Sequence, residues 1–151
     1  MTIVDFEPRH AGPWRTLNED WISRHFAIEA KDREVLDDPQ GQVLAKGGRI
    51  FIAEDEGEVV GCVALLPLDD GGFELAKMTV AESARGKGLG RRLIQHCIDR
   101  ATEAGAPRLY LETNSALAPA LTLYAAMGFR RLESGCTEYA RCDVWMERPL
   151  P

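Results

Sequence analysis

The sequence predicts a mixed α/β protein: a central, mostly antiparallel twisted sheet with helices on both faces. Three observations carry that reading. Strand-like segments stand in close succession at 49–55 (RIFIAED), 59–68 (VVGCVALLPL) and 73–80 (FELAKMTV), separated only by the turn sequences EGE and DDGG. The segment RRLIQHCIDRATEAG then lines Leu93, Ile94, Cys97, Ile98 and Ala101 on one stripe, with Arg92, Gln95, Asp99 and Glu103 opposite, as an amphipathic helix requires. Beyond it, strand and helix alternate once more before the chain closes on strands.

In chain order, TIVDF alternates and reads as a first strand, punctuated by Pro8, Gly12 and Pro13. Trp14, Leu17, Trp21, Ile22 and Phe26 stand close to helical spacing, and Lys31 to Leu36 reads as a second helical piece ending near DDPQG. The three-strand run and the amphipathic helix follow, the helix stopped by Gly105 and Pro107. RLYLET is the next strand, and PALTLYAAMG a helix with Pro119 near its first turn and Gly128 after its end. FRRLE and CDVWMER read as two closing strands around a polar loop.

The chain has 151 residues, 45% of them apolar and 28% charged, which suits one soluble domain spanning 1–151. Its 24 acidic and 18 basic residues give a net charge of -6, which argues against general nucleic-acid binding and mildly favours a cationic substrate. The N-terminus lacks the basic-then-apolar pattern of a signal peptide, and VVGCVALLPL is too short to span a bilayer, so the reading is a cytoplasmic protein with no membrane partner. Cys62, Cys97, Cys136 and Cys142 form no CxxC pair, and with three histidines at no matching spacing no metal site is expected. A homodimer is left open.

One stretch stands apart in this acidic chain: ARGKGLGRRL at 84–93, with three alternate glycines among four cations. Strand, glycine-rich turn and helix make a phosphate-binding geometry. Glycine lets the backbone approach a ligand, the first N–H groups of the helix lack internal partners, and the helix dipole adds positive charge. Spacing separates the familiar variants. No Lys-Ser or Lys-Thr follows a glycine as a P-loop needs, and counting from Gly86 and Gly88 the third position of a dinucleotide-binding turn is Arg91. What stands is Arg85-x-x-Gly88-x-Gly90.

RGKGLG resembles the Q/R-x-x-G-x-G/A motif of the GNAT superfamily of N-acetyltransferases. FELAKMTV resembles that family's fourth strand, and LETNSALAPALTLYAAMGF its following strand and helix, with an Asn after the strand, a Tyr on the helix and a Gly-Phe exit. The resemblance runs from about Phe73 to Phe129 and implies the GNAT-like acyl-CoA N-acyltransferase fold. It also implies acetyl-CoA as co-substrate and direct transfer to the amine of a small molecule, amino acid or peptide.

The residue roles it implies are these. Arg85, Gly86, Lys87, Gly88, Leu89, Gly90 and Arg91 hold the pyrophosphate. Met78 gives its backbone N–H to the thioester oxygen, where the family often carries a strand bulge, and Met78 and Val80 pair with the pantetheine arm. Tyr124 sits near the sulfur as proton donor, and Asn114 touches the cofactor or caps the turn before the helix. Glu74 is the first choice of base and Glu112 the second; Glu74 is also placed to pair with Lys77. The acceptor pocket falls to residues such as Trp21, Phe26, Glu29, Asp32 and Tyr139, with Glu29 and Asp32 placed either to attract a cationic amine or as solvated charges on a surface helix. Cys62 and Cys97 lie in segments too apolar for an activated thiolate. Two other readings use the same turn: an acyl-CoA-binding sensor or interaction module with little catalysis, and a nucleotide-dependent enzyme.

Overall fold

The protein is described by a computed structural model covering residues 1–151. The strands are β1 (Thr2–Asp5), β2 (Arg49–Asp55), β3 (Glu58–Pro67), β4 (Phe73–Val80), β5 (Arg108–Thr113), β6 (Arg130–Arg131) and β7 (Val144–Pro149). The helices are α1 (Ala11–His25), α2 (Ala30–Asp37), α3 (Pro39–Gln42), α4 (Leu89–Glu103) and α5 (Ala118–Ala126). One seven-stranded sheet runs β1-β2-β3-β4-β5-β7-β6. Every pairing is antiparallel except β4 with β5.

The sheet is buried on both faces, which is why β2 and β3 read as near-continuous apolar runs. Ile50, Ile52, Cys62 and Ala64 turn one way, against Trp14 and Ile22 of α1 and Val35 and Leu36 of α2. Phe51, Val63, Leu65, Leu75, Leu109 and Leu111 turn the other way, against Leu93, Ile94 and Cys97 of α4. The expected stripe of α4 is the buried one.

Boundaries shift where tertiary contacts intervene. The helix expected from Arg91 begins at Leu89, so Gly90 lies inside its first turn. The short α3 was not foreseen; Pro39 starts it and the Asp38 carboxylate accepts the Gly41 N–H at 3.0 Å. FRRLE yields only the two residues of β6, and β7 starts at Val144 rather than Cys142. Between them, residues 132–143 lie as a strap over the β5–β7 side, with Gly135 packed so closely on the Trp145 ring that no Cβ would fit.

Candidate active site

The site begins with a break in the sheet. β4 and β5 pair only at Phe73–Leu109 and Glu74–Tyr110, so the strands part beyond Glu74 and leave an inner edge of β4 without a neighbour. A cleft of about 760 Å³ opens there, lined by β4, the 84–91 turn, the end of β5, α5 and the C-terminal end of α1.

β4 also carries a bulge. Cys62 faces Thr79 and Ala64 faces Ala76, so Lys77 and Met78 together oppose the single Val63. Lys77 adopts φ 55°, one of two non-glycine residues in the left-handed region. The extra residue changes the parity of the strand. Before it, Leu75 faces the α4 side; after it, Thr79 turns to α1, where its hydroxyl bonds the buried Asn18 side chain at 3.1 Å, while Met78 and Val80 pack toward α4.

At the far end of β4 a 3-10 turn (Glu82–Ala84) leads into the glycine run. Gly86 and Gly88 both take φ 76°, and a Cβ at either would meet nothing within 4 Å, so conformation rather than space calls for glycine. The first helical bond of α4 runs from Arg92 N–H to the Gly88 carbonyl at 3.1 Å. The N–H groups of Leu89, Gly90 and Arg91 therefore lack helical acceptors, and neither a capping side chain nor a first-turn carboxylate serves them. Arg85, Lys87, Arg91 and Arg92 are exposed and none pairs with a carboxylate; Arg91 reaches the Met127 sulfur and Arg92 the Met1 carbonyl. Gly90 has a different reason: a Cβ there would press on Leu123 of α5 at 3.2 Å.

The other expected residues, Glu29 and Asp32 excepted, line the same cleft. Burial and the nearby Glu112 raise the Glu74 carboxyl to about 7, and no hydrogen bond holds it. Glu112 is engaged by the Tyr110 hydroxyl at 3.0 Å and by Thr137 of the strap. Tyr124 is buried against Phe129, its hydroxyl makes no bond within the protein, and burial pushes it up to about 12. Asn114 spends its side chain locally, donating to the Arg141 carbonyl at 2.7 Å and accepting from the Ala116 N–H at 2.8 Å, which is the turn role foreseen for it. Trp21 and Phe26 line the mouth with His25, the Trp21 and His25 rings 4.9 Å apart. Burial raises the Cys62 thiol to about 12 and moves Cys97 the same way, so neither is an activated thiolate.

Glu29 and Asp32 do not line the cleft, and neither is free to attract an amine. Asp32 has no exposed surface. It takes Lys77 Nζ at 2.8 Å and two parallel bonds from Arg141 at 2.7 Å, and it accepts the Glu29 N–H at 2.8 Å. Burial alone would raise this carboxyl; Arg141 and Lys77 bring it down to about 2. Glu29 holds the strap through the Ala140 N–H at 2.9 Å and Arg141 at 3.3 Å. Lys77 therefore pairs with Asp32 and not with Glu74, and it also reaches the Tyr139 hydroxyl at 3.1 Å. The Tyr139 ring is contacted by Lys77 at 4.5 Å and Arg141 at 4.4 Å. Lys77 was read only as a partner for Glu74, and Arg141 had no place in the sequence reading. The available signal was Asp32 itself, which stands in register with the buried Val35 and Leu36 of α2 and so belongs to its inner stripe.

A model of the GNAT acetyltransferase family matches residues 14–129. The chain is 34% identical over 139 residues to the uncharacterized N-acetyltransferase YjgM of Escherichia coli K12, covering 85% of this chain and 83% of that one. It is 38% identical over 112 residues to an IAA acetyltransferase of Azospirillum brasilense, covering 72% and 73%. Among solved structures, a GNAT-family acetyltransferase from Staphylococcus aureus Mu50 superposes with a TM-score of 0.90 at 22% identity, over 99% of both chains. At that identity the likeness speaks for the fold.

Proposed function

The chain belongs to the GNAT family of acetyltransferases, and from that premise we propose that its single domain, residues 1–151, moves an acetyl group from acetyl-CoA to a primary amine by direct attack. One observation carries this reading. The uncapped N-terminus of α4, the unpaired inner edge of β4, the free Tyr124 hydroxyl and the raised Glu74 carboxyl all face one cleft.

These residues fit acetyl-CoA. The N–H groups of the 86–91 turn, with Arg85, Lys87 and Arg91 beside them, suit a pyrophosphate. The backbone of Met78 and Val80 suits an extended pantetheine arm laid along β4, and Asn114 shapes the turn at the opposite wall. When bound, the co-substrate supplies the activated acetyl group. The Met78 N–H, on the two-residue side of the bulge, would donate to the carbonyl oxygen. An ammonium has no lone pair, so a base must take its proton. Glu74, with a carboxyl raised to about 7, is divided between its two forms at neutral pH and can do so. Tyr124 keeps its proton up to about 12 and can give it to the departing sulfur. The inert Cys62 and Cys97 favour direct attack over an acyl-cysteine.

The test combines thermal shift with thiol release. Acetyl-CoA is expected to raise the Tm more than NAD does, and a panel of primary amines is expected to release free coenzyme A. Stabilisation by acetyl-CoA without release from any amine would replace this reading with a binding module.

A further inference from the structure

The charges around the acceptor end of the cleft narrow the substrate class. Pairing alternates along each strand, so Glu74, Tyr110 and Glu112 share the sheet face turned away from the α4 core, while Leu75, Leu109 and Leu111 fill that core. Glu74 sits where β4 and β5 part, four residues before Met78 and at the opposite end of β4 from the phosphate-binding turn. Both carboxylates line the cleft, and Glu112 is close enough to help raise Glu74.

Two cations also line this end, Lys77 and Arg141, and neither is available. Arg141 spends its fork on Asp32 and reaches Glu29; Lys77 Nζ bonds Asp32 and the Tyr139 hydroxyl. The four charges of Lys77, Arg141, Asp32 and Glu29 cancel within one ion-paired set, with the fully buried Asp32 at its centre. What remains without a counter-charge at this end is Glu74 and Glu112, the latter held only by the neutral Tyr110 and Thr137 hydroxyls, with Trp21, Phe26 and Tyr139 as walls.

We propose that the acceptor is a cationic amine with no carboxylate beside its amino group, so that free α-amino acids are selected against. This rests on the acetyl-transfer reading above and deepens it. A carboxylate next to the reacting amine would enter the field of Glu112 and of Glu74 in the ionised form that serves as base, with no free guanidinium or ammonium to receive it, a repulsive element that discriminates without needing extra contacts. An ammonium meets the opposite field, and its apolar remainder finds the aromatic walls. The family alone does not dictate this choice, because it depends on which partner Arg141 and Lys77 take in this chain.

The experiment is a matched panel scored by thiol release at fixed, saturating acetyl-CoA. Tyrosine, phenylalanine and histidine are each compared with their carboxamides and with tyramine, phenethylamine and histamine. In each trio both carboxylate-free members are expected to exceed the acid in kcat/KM by about tenfold or more, the scale of a like-charge contact in a partly desolvated site. Including both the amide and the decarboxylated amine separates charge from amine basicity. Glu112→Gln keeps the shape and removes one charge, and it is expected to raise the acids selectively, by several-fold relative to the amides. Equal turnover of acids and amides, or an equal effect of Glu112→Gln on both, overturns the inference while leaving acetyl transfer intact. Release from no member at all overturns the transfer reading and this one with it.

Discussion

Replacing Asp32 by Asn is expected to cost about 3–5 kcal/mol of folding stability, the range for removing one partner of a buried ion pair. The geometry explains why the cost is high. Asp32 has no exposed surface, Lys77 is 7% exposed, and Arg141 is bound to the same carboxylate by two bonds. Asn keeps the shape but leaves two cations facing a neutral amide. The carboxylate's own share follows from its titration: burial raises it, but Arg141 and Lys77 hold it at about 2 against an ordinary 3.8. That difference corresponds to about 2 kcal/mol at neutral pH. The remainder is the cost of the orphaned cations. A carboxyl held low stabilises above its unfolded value and loses that contribution as pH falls through its folded value. The wild type should therefore weaken between about pH 4 and 2, and the variant should not show that component. Urea unfolding at pH 7, repeated down the acid range, reads both effects. Adding Lys77→Met to Asp32→Asn should recover part of the loss by deleting one orphaned charge. A loss below about 1 kcal/mol at pH 7, the worth of an exposed pair, would refute the reasoning.

Tyr124→Phe is expected to lower kcat by about 10²-fold while leaving acetyl-CoA affinity and Tm nearly unchanged, because the hydroxyl bonds nothing in the protein; isothermal titration beside steady-state kinetics checks it. Gly88→Ala should cost about 1–2 kcal/mol and weaken acetyl-CoA binding, since φ 76° is left-handed, whereas Gly90→Ala should chiefly disturb the contact with Leu123. Chemical unfolding and titration of both variants separate the two. With the Glu74 carboxyl raised to about 7, kcat/KM should fall on the acid side of neutrality, and Glu74→Gln should abolish that limb. Because the folded protein holds this proton more tightly than the unfolded chain, Glu74 opposes folding increasingly from about pH 4.5 to 7. Glu74→Gln should thus raise stability at pH 8 and leave it unchanged at pH 4, as denaturant titrations at both values would show.

Legibility followed the range of the interactions. The glycine turn could be read because its chemistry is local: left-handed backbone at Gly86 and Gly88 and an uncapped helix start a few residues away. The strands β2, β3 and β4 and the stripe of α4 were readable for the same reason, periodicity against a face. The polar loop was read as such, and only its flanks, Leu132 and Glu133 of FRRLE and Cys142 and Asp143 of CDVWMER, were read as strand where the ladder does not reach. Asp32 and Glu29 were read as facing solvent or substrate. Their partners, Lys77 and Arg141, lie 45 and 109 residues from Asp32 along the chain, beyond any local pattern. The same pairing helps hold Lys77 at a positive φ that its residue type does not favour.

The Asp32 cluster also bears on the chemistry of Glu74, although the two do not touch. Lys77 is near enough to lower the Glu74 carboxyl, working against burial and Glu112. Without Asp32 to take its charge, Lys77 would turn toward the nearest remaining anions, and Glu74 and Glu112 are the carboxylates in the cleft. A salt-bridged Glu74 would fall into the ordinary carboxylate range, ionised but a weaker base, and its partner would block the approach of an amine. Holding Lys77 on α2 keeps Glu74 poised near neutrality and keeps the acceptor end anionic. The opposite end, where Arg85, Lys87 and Arg91 have no counter-charge, stays cationic. In a chain of net charge -6, this division would suit one cleft to an anion and a cation at its two ends, as the proposed transfer requires. A single carboxylate buried beneath the sheet maintains the separation between them.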